Sequence, residues 1–104
     1  MNILEKANEI VNLRSEEKER MYGPFEESME IAAKMASLMS GQEISTDIMY
    51  FCMMALKMSR ESYNHKEDNL LDLVAYIGAY NNYKEKQDEP SIEDHTQKIY
   101  WNNK

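Results

Sequence analysis

Apolar residues recur at three- and four-residue intervals along most of the chain, and no stretch sustains the two-residue alternation of a half-buried strand. The pattern predicts four helices. The first runs from about Asn2 to Leu13, with Ile3, Ala7, Ile10, Val11 and Arg14 on one face and Glu5, Lys6 and Glu9 outside. Ser15 to Arg20 is charged, and the i,i+4 pair Glu16–Arg20 would support its being helical. Tyr22-Gly23-Pro24 is the strongest turn signal. The second helix starts near Pro24, a residue suited to a first turn, and stops at Gly41, a C′ residue. Phe25, Met29, Ile31, Ala32, Met35, Ala36, Leu38 and Met39 fill half its circumference; Glu26, Glu27, Glu30 and Lys34 fill the other.

Ser45 or Thr46 caps the third helix, which runs to about Ser62 with Asp47 in its first turn. From Ile48 to Leu56 it is apolar all round, the pattern of a helix surrounded by protein. Tyr63-Asn64-His65-Lys66 links it to a fourth helix, about Glu67 to Lys84, which is also apolar over most of its circumference. Asp68, Asn69 and Asp72 interrupt it on one narrow arc. A polar tail follows, and Ser91 with Asp94 has capping-box spacing, so Ser91 to Tyr100 is a candidate short fifth helix. The expected fold is all-α: a four-helix bundle-like domain over 1–86 and a polar tail over 87–104. Two nearly all-apolar helices exceed what two amphipathic partners can cover, so a homo-oligomer, a dimer or tetramer, is expected to bury the surplus.

Composition narrows the function. With 104 residues, one compact domain fits. Three Gly and two Pro leave few helix breakers. Nineteen acids against twelve Lys and Arg give a net charge of −7, which argues against direct nucleic-acid binding and against docking on anionic membrane. No apolar run approaches the roughly 20 residues of a membrane span, and the N-terminus lacks signal-peptide character, so a cytoplasmic location is expected. A single cysteine, Cys52, excludes an intrachain disulfide and a cysteine-based zinc site. It is most simply a small buried hydrophobe.

The chemistry-bearing candidates are few. Asp68 and Asp72 lie one helical turn apart, so both carboxylates point the same way and could hold Mg²⁺. The plainer account is an acidic first turn meeting the helix dipole, which suits Asp68 better than Asp72. Lys57 and Arg60 could neutralise that pair or grip a phosphate; a Lys57–Glu61 pair and dipole complementation are the plainer alternative. Glu26, Glu27 and Glu30 belong by default to a solvated face, with Glu30 pairing to Lys34. Beyond Met1, every methionine falls between Met21 and Met58, filling a core between the second and third helices or forming an adaptable binding patch. His65 and His95 have no ligand spacing with Cys52 or with each other.

The run Ile3 to Val11, then Tyr22-Gly23-Pro24, Lys57-Met58-Ser59-Arg60, and His65 to Tyr76 resembles a family of short phage and prophage proteins of unknown function, over roughly residues 2 to 83. That family usually puts one residue between Tyr-Gly and Pro, and often has Gly at the position of Ala75. It is distantly similar to the MazG-like all-α nucleoside triphosphate pyrophosphohydrolases. Their Glu-x-x-Glu and Glu-x-x-Asp motifs bind Mg²⁺, which engages the triphosphate and activates water. The resemblance implies that Glu27 and Glu30 stand for the first, catalytic pair. Asn69 and Asp72 stand at the second, with Asn replacing Glu and Asp68 alongside.

Two functions follow as expectations. One is binding of a phosphorylated nucleotide, with catalysis open: Asp68 and Asp72 hold Mg²⁺, Lys57 and Arg60 meet phosphate, Asn69 lines the site, Tyr76 or Tyr83 stacks on the base, and Glu27 or Glu30 activates water. The other is a non-enzymatic phage accessory or anti-defence protein that inhibits a host protein or sequesters a nucleotide signal.

Overall fold

The computed structural model describes residues 1–13 and 24–87. Among these, four helices form and no strand: α1 (Ile3–Asn12), α2 (Phe25–Ser40), α3 (Thr46–Tyr63) and α4 (Glu67–Gln87). The all-α expectation holds, as a small single domain. The expected extension over Ser15 to Arg20, the Tyr22-Gly23 turn and the helix over Ser91 to Tyr100 lie outside the described residues.

Local signals set the ends. Asn2 caps α1 through a reciprocal box: its side chain accepts from the Glu5 amide, and the Glu5 carboxylate accepts from the Asn2 amide. Pro24 is the N-cap of α2 rather than its first helical residue. Gly41 closes α2 in the left-handed region at φ 73°, where a side chain would be strained. Ser45 caps α3 by accepting from the Ile48 amide. The Ser37 hydroxyl accepts from the Ile44 amide at 2.9 Å and donates to the Ala33 carbonyl at 2.8 Å, which pins the α2–α3 connection. α4 continues to Gln87, past the expected end at Lys84.

The helices pack as a bundle-like single domain. α4 packs against both α1 and α3, and α2 packs on α3 and meets α4 in a shared core. Polar pairs fasten the helices: Lys6 to Glu67 at 2.7 Å and Asn82 to Asn12 at 2.9 Å join α1 to α4, and Lys86 to Glu26 at 3.1 Å joins α4 to α2. Lys6, expected outside, thus turns toward α4.

Where α2, α3 and α4 meet, the core is aromatic. Tyr50 is fully buried, with ring centroids 6.1 Å from Phe25 and 5.4 Å from both Tyr80 and Tyr83. Met29, Ala79 and Tyr83 complete the buried centre, and Met49, Met53 and Met54 pack around it. These methionines fill the core as expected; Met35, Met39 and Met58 are instead exposed. No helix among the described residues is long and apolar enough to cross a membrane.

Candidate functional site

The residues singled out in the sequence fall into three places. The first is the α3–α4 seam. Here the Lys57 Nζ lies 2.9 Å from an Asp72 carboxylate oxygen, with the Lys57 side chain only 14% exposed. The plainer i,i+4 pairing of Lys57 with Glu61 therefore gives way to a cross-helix pair. Tyr76 stands one turn beyond Asp72 and is half-buried, with its ring centroid 5.7 Å from that of Phe25. Burial raises its phenol pKa, and Asp72 adds to this while Lys57 opposes it. Asp68, one turn before Asp72, is exposed, as is Arg60.

The second place is the α3–α4 connection, built around Glu61. Its carboxylate accepts from the Lys66 amide at 3.1 Å and pairs with the His65 imidazole. The Asn69 amide nitrogen lies 3.5 Å from the same carboxylate and donates to the Asn64 carbonyl at 3.3 Å. The His65 hydrogen bond is the main reason the Glu61 carboxyl sits below its ordinary pKa. Asn69 is thus engaged in holding the turn. Glu61, expected to pair with Lys57, is held by His65 instead; the signal for that partner is its i,i+4 spacing across the helix end.

The third place is α2, where Glu27 and Glu30 are exposed and Glu26 is tied to Lys86. Glu30 and Lys34 stand at the lip of an open groove of about 710 Å³ whose floor includes Ala33, Ser37 and Tyr83. Tyr83 is a buried core ring whose hydroxyl accepts from Gln87 at 2.6 Å. Among the described residues no three of His, Cys, Asp or Glu come together as a metal site. Within one chain, then, Glu27 and Glu30 do not converge with Asp68 and Asp72 on a common ion.

The chain belongs to the DUF6378 family. The model of that family, a domain of unknown function, matches residues 2–84, which includes α1 to α3 and nearly all of α4. No curated protein and no solved structure matches the chain.

The most unusual surface of this DUF6378 domain is one the sequence shows only in part. On an ordinary surface helix, charges point outward. On α3 the two charges flanking its apolar run point inward: Lys57 to Asp72, and Asp47 to Lys84 at 3.2 Å. The outward arc is left to Ile48, Cys52, Ala55, Leu56 and Met58, all exposed and none charged, with Phe51 at its edge against the Tyr80 ring of α4. Cys52 is accordingly exposed, not the buried hydrophobe expected, because it lies on the arc facing away from α4. α2 adds a second stripe. Ile31, Met35, Leu38 and Met39 lie within one ~100° arc, and Leu38 and Met39 are 84% and 88% exposed. The half of α2 expected to be buried is therefore split. Phe25 and Met29 pack inward, Ala32 and Ala36 are half-buried, and Ile31, Met35, Leu38 and Met39 are open.

Proposed function

We propose that this protein acts by association, as a small helical accessory module without an enzymatic turnover of its own, and that the outward faces of α2 and α3 are its working surface. The observation that carries this reading is the inversion of α3: Asp47 and Lys57 turn into the fold, and the solvent side is apolar. Both pairs are partly exposed and so contribute little to stability, and their effect is to leave the outward side of α3 without charge. The resemblance to short phage proteins points the surface toward assembly in the host cytoplasm and inhibition of a host protein.

A second reading, a Mg²⁺-dependent nucleotide site, draws on Asp68 and Asp72 sharing one side of α4 next to Lys57. In it Asp68 and Asp72 are the metal ligands and Arg60 meets phosphate. The ion pair of Lys57 opens to admit the ligand, and Asn69 and Tyr76 flank the site while Glu27 or Glu30 activates water. It is the weaker reading because Lys57, Asn69 and Tyr76 are each already engaged within the fold.

One experiment separates them. Purified protein is incubated with a panel of nucleoside triphosphates and Mg²⁺, with pyrophosphate release and thermal shift recorded. The association reading expects neither. Release of pyrophosphate that Asp72→Asn abolishes overturns it and establishes the second.

A further inference from the structure

The groove beside α2 has one wall from α2, with Ala33, Lys34 and Leu38, and another from the end of α4, with Tyr83 and Gln87. Ile44 of the α2–α3 connection adds to the lining. Its volume of about 710 Å³ falls within the ~300–1,000 Å³ of clefts that enclose a small ligand. Ala33 and Tyr83 are buried, Ile44 is half-buried, and Leu38 stands open at 84% exposure. Lys34 is exposed and makes no ion pair among the described residues, so the expected Glu30–Lys34 pair does not form. The groove thus offers apolar surface and one uncommitted cation.

The occupant follows from where α4 stops. Gln87 lines the groove and is also the last residue of α4. Only Asp88, Glu89 and Pro90 separate it from Ser91, where a further helix is expected. A three-residue link is of the length that joins two antiparallel helices, and it spans no more than about 10 Å. A segment tethered so closely reaches a millimolar effective concentration at the groove, which a free ligand has to displace. Its chemistry matches the lining. On the expected helix Ile92, Thr96, Ile99 and Tyr100 fall within one ~100° arc, with Glu93 at the edge of that arc. A helix this short is marginal in water without a surface to pack on.

We propose that the segment from Ser91 to Tyr100 folds back onto this groove, with Ile92, Ile99 and Tyr100 against Leu38, Ile44 and Tyr83, and with Glu93 paired to Lys34. The contact lies within one chain and does not rest on the association reading. It covers Leu38 and leaves Ile31, Met35 and the outward arc of α3 open.

Trp101 is the only tryptophan and directly follows this segment, so its fluorescence anisotropy reports whether the tail turns with the domain. In the full chain the anisotropy should be that of a 12.3 kDa body and should not vary with protein concentration. Lys34→Glu should lower it by about two-fold or more, because a free terminus reorients on the nanosecond scale. Lys34→Glu combined with Glu93→Lys should restore it. Leu38→Glu should release the tail as Lys34→Glu does, whereas Leu4→Glu, at a 65% exposed site on α1, should not. Circular dichroism checks that each variant is folded; if Leu38→Glu is not, the charge exchange between Lys34 and Glu93 still decides. Low anisotropy in the unaltered chain overturns the proposal. So does anisotropy that rises with concentration, which would place the tail on a second copy. A held tail that neither Lys34→Glu nor Leu38→Glu releases overturns it as well.

Discussion

Lys57 on α3 and Asp72 on α4 form an ion pair at 2.9 Å that sits on the inner side of a helix whose outer side is apolar. The pair fixes how α3 is rotated about its axis. With Asp47 held by Lys84 at the other end of α3, the helix is held at two points roughly three turns apart.

The strength of the α3–α4 pair follows from its exposure. Lys57 is mostly covered but Asp72 is 42% exposed, so water screens part of the attraction. A double-mutant cycle with Lys57→Met and Asp72→Leu should give a coupling of about 1 kcal/mol in urea unfolding, above the usual surface pair and below a buried one. A coupling indistinguishable from zero would mean that packing alone sets the rotation of α3.

Tyr50 offers a test of the core. Its ring is fully buried among Phe25, Tyr80 and Tyr83, yet its hydroxyl has no hydrogen-bond partner among the described residues. Burial drives the phenol pKa up, so it stays neutral throughout the ordinary pH range. A buried, unpaired hydroxyl costs about 1–3 kcal/mol of desolvation with nothing in return. Tyr50→Phe should therefore leave thermal stability equal or raise it, whereas Tyr50→Ala should lower it by about 3–5 kcal/mol. Loss of stability in Tyr50→Phe would reveal a partner for the hydroxyl.

How far the sequence anticipated this depends on the range of each interaction. Ser45, one of the two caps expected for α3, and the stop at Gly41 act within a few residues and are announced by residue type, whereas the equally local capping box of Asn2 and Glu5 is not among the features expected. The shared side of Asp68 and Asp72 follows from helical periodicity in the same way. The inward turn of Lys57 and Asp47 depends on α4 residues distant in the chain, and periodicity cannot say which side of an all-apolar helix faces in. For the same reason the exposure of Cys52 could not be anticipated. Nor could the engagement of Asn69 by the Asn64 carbonyl, which depends on the path of the turn between α3 and α4.

The two glycines of the helical region should respond oppositely to the same change. Gly41 has φ 73°, so Gly41→Ala forces an L side chain into the left-handed region and should cost about 1 kcal/mol. Gly78 lies inside α4, and an added Cβ would meet the Val11 Cγ2 at 3.8 Å, ordinary contact. Gly78→Ala should therefore gain up to about 1 kcal/mol from helix propensity. Chemical denaturation of both variants checks the pair. A destabilised Gly78→Ala would show that α1 and α4 approach more closely than that contact implies.

Acid should loosen the α3–α4 connection first through Glu61. Its carboxylate is held below its ordinary pKa chiefly by the His65 hydrogen bond, helped by the Lys66 amide and Asn69 and opposed by partial burial. A carboxyl with a lowered folded-state pKa contributes stability that is complete above the unfolded value, ~4.3, and disappears as pH falls through the folded one. Glu61→Gln removes this contribution at all pH values. The stability difference between the unaltered chain and Glu61→Gln, from denaturant midpoints, should therefore be fully present just above the carboxylate range. Below it the difference should shrink steadily. The Lys66 backbone amide should lose protection, measured against its intrinsic exchange rate at each pH, over the same interval, because it loses the charged acceptor that orders the turn. A difference that persists unchanged into strong acid would show that Glu61 acts through its shape and not its charge.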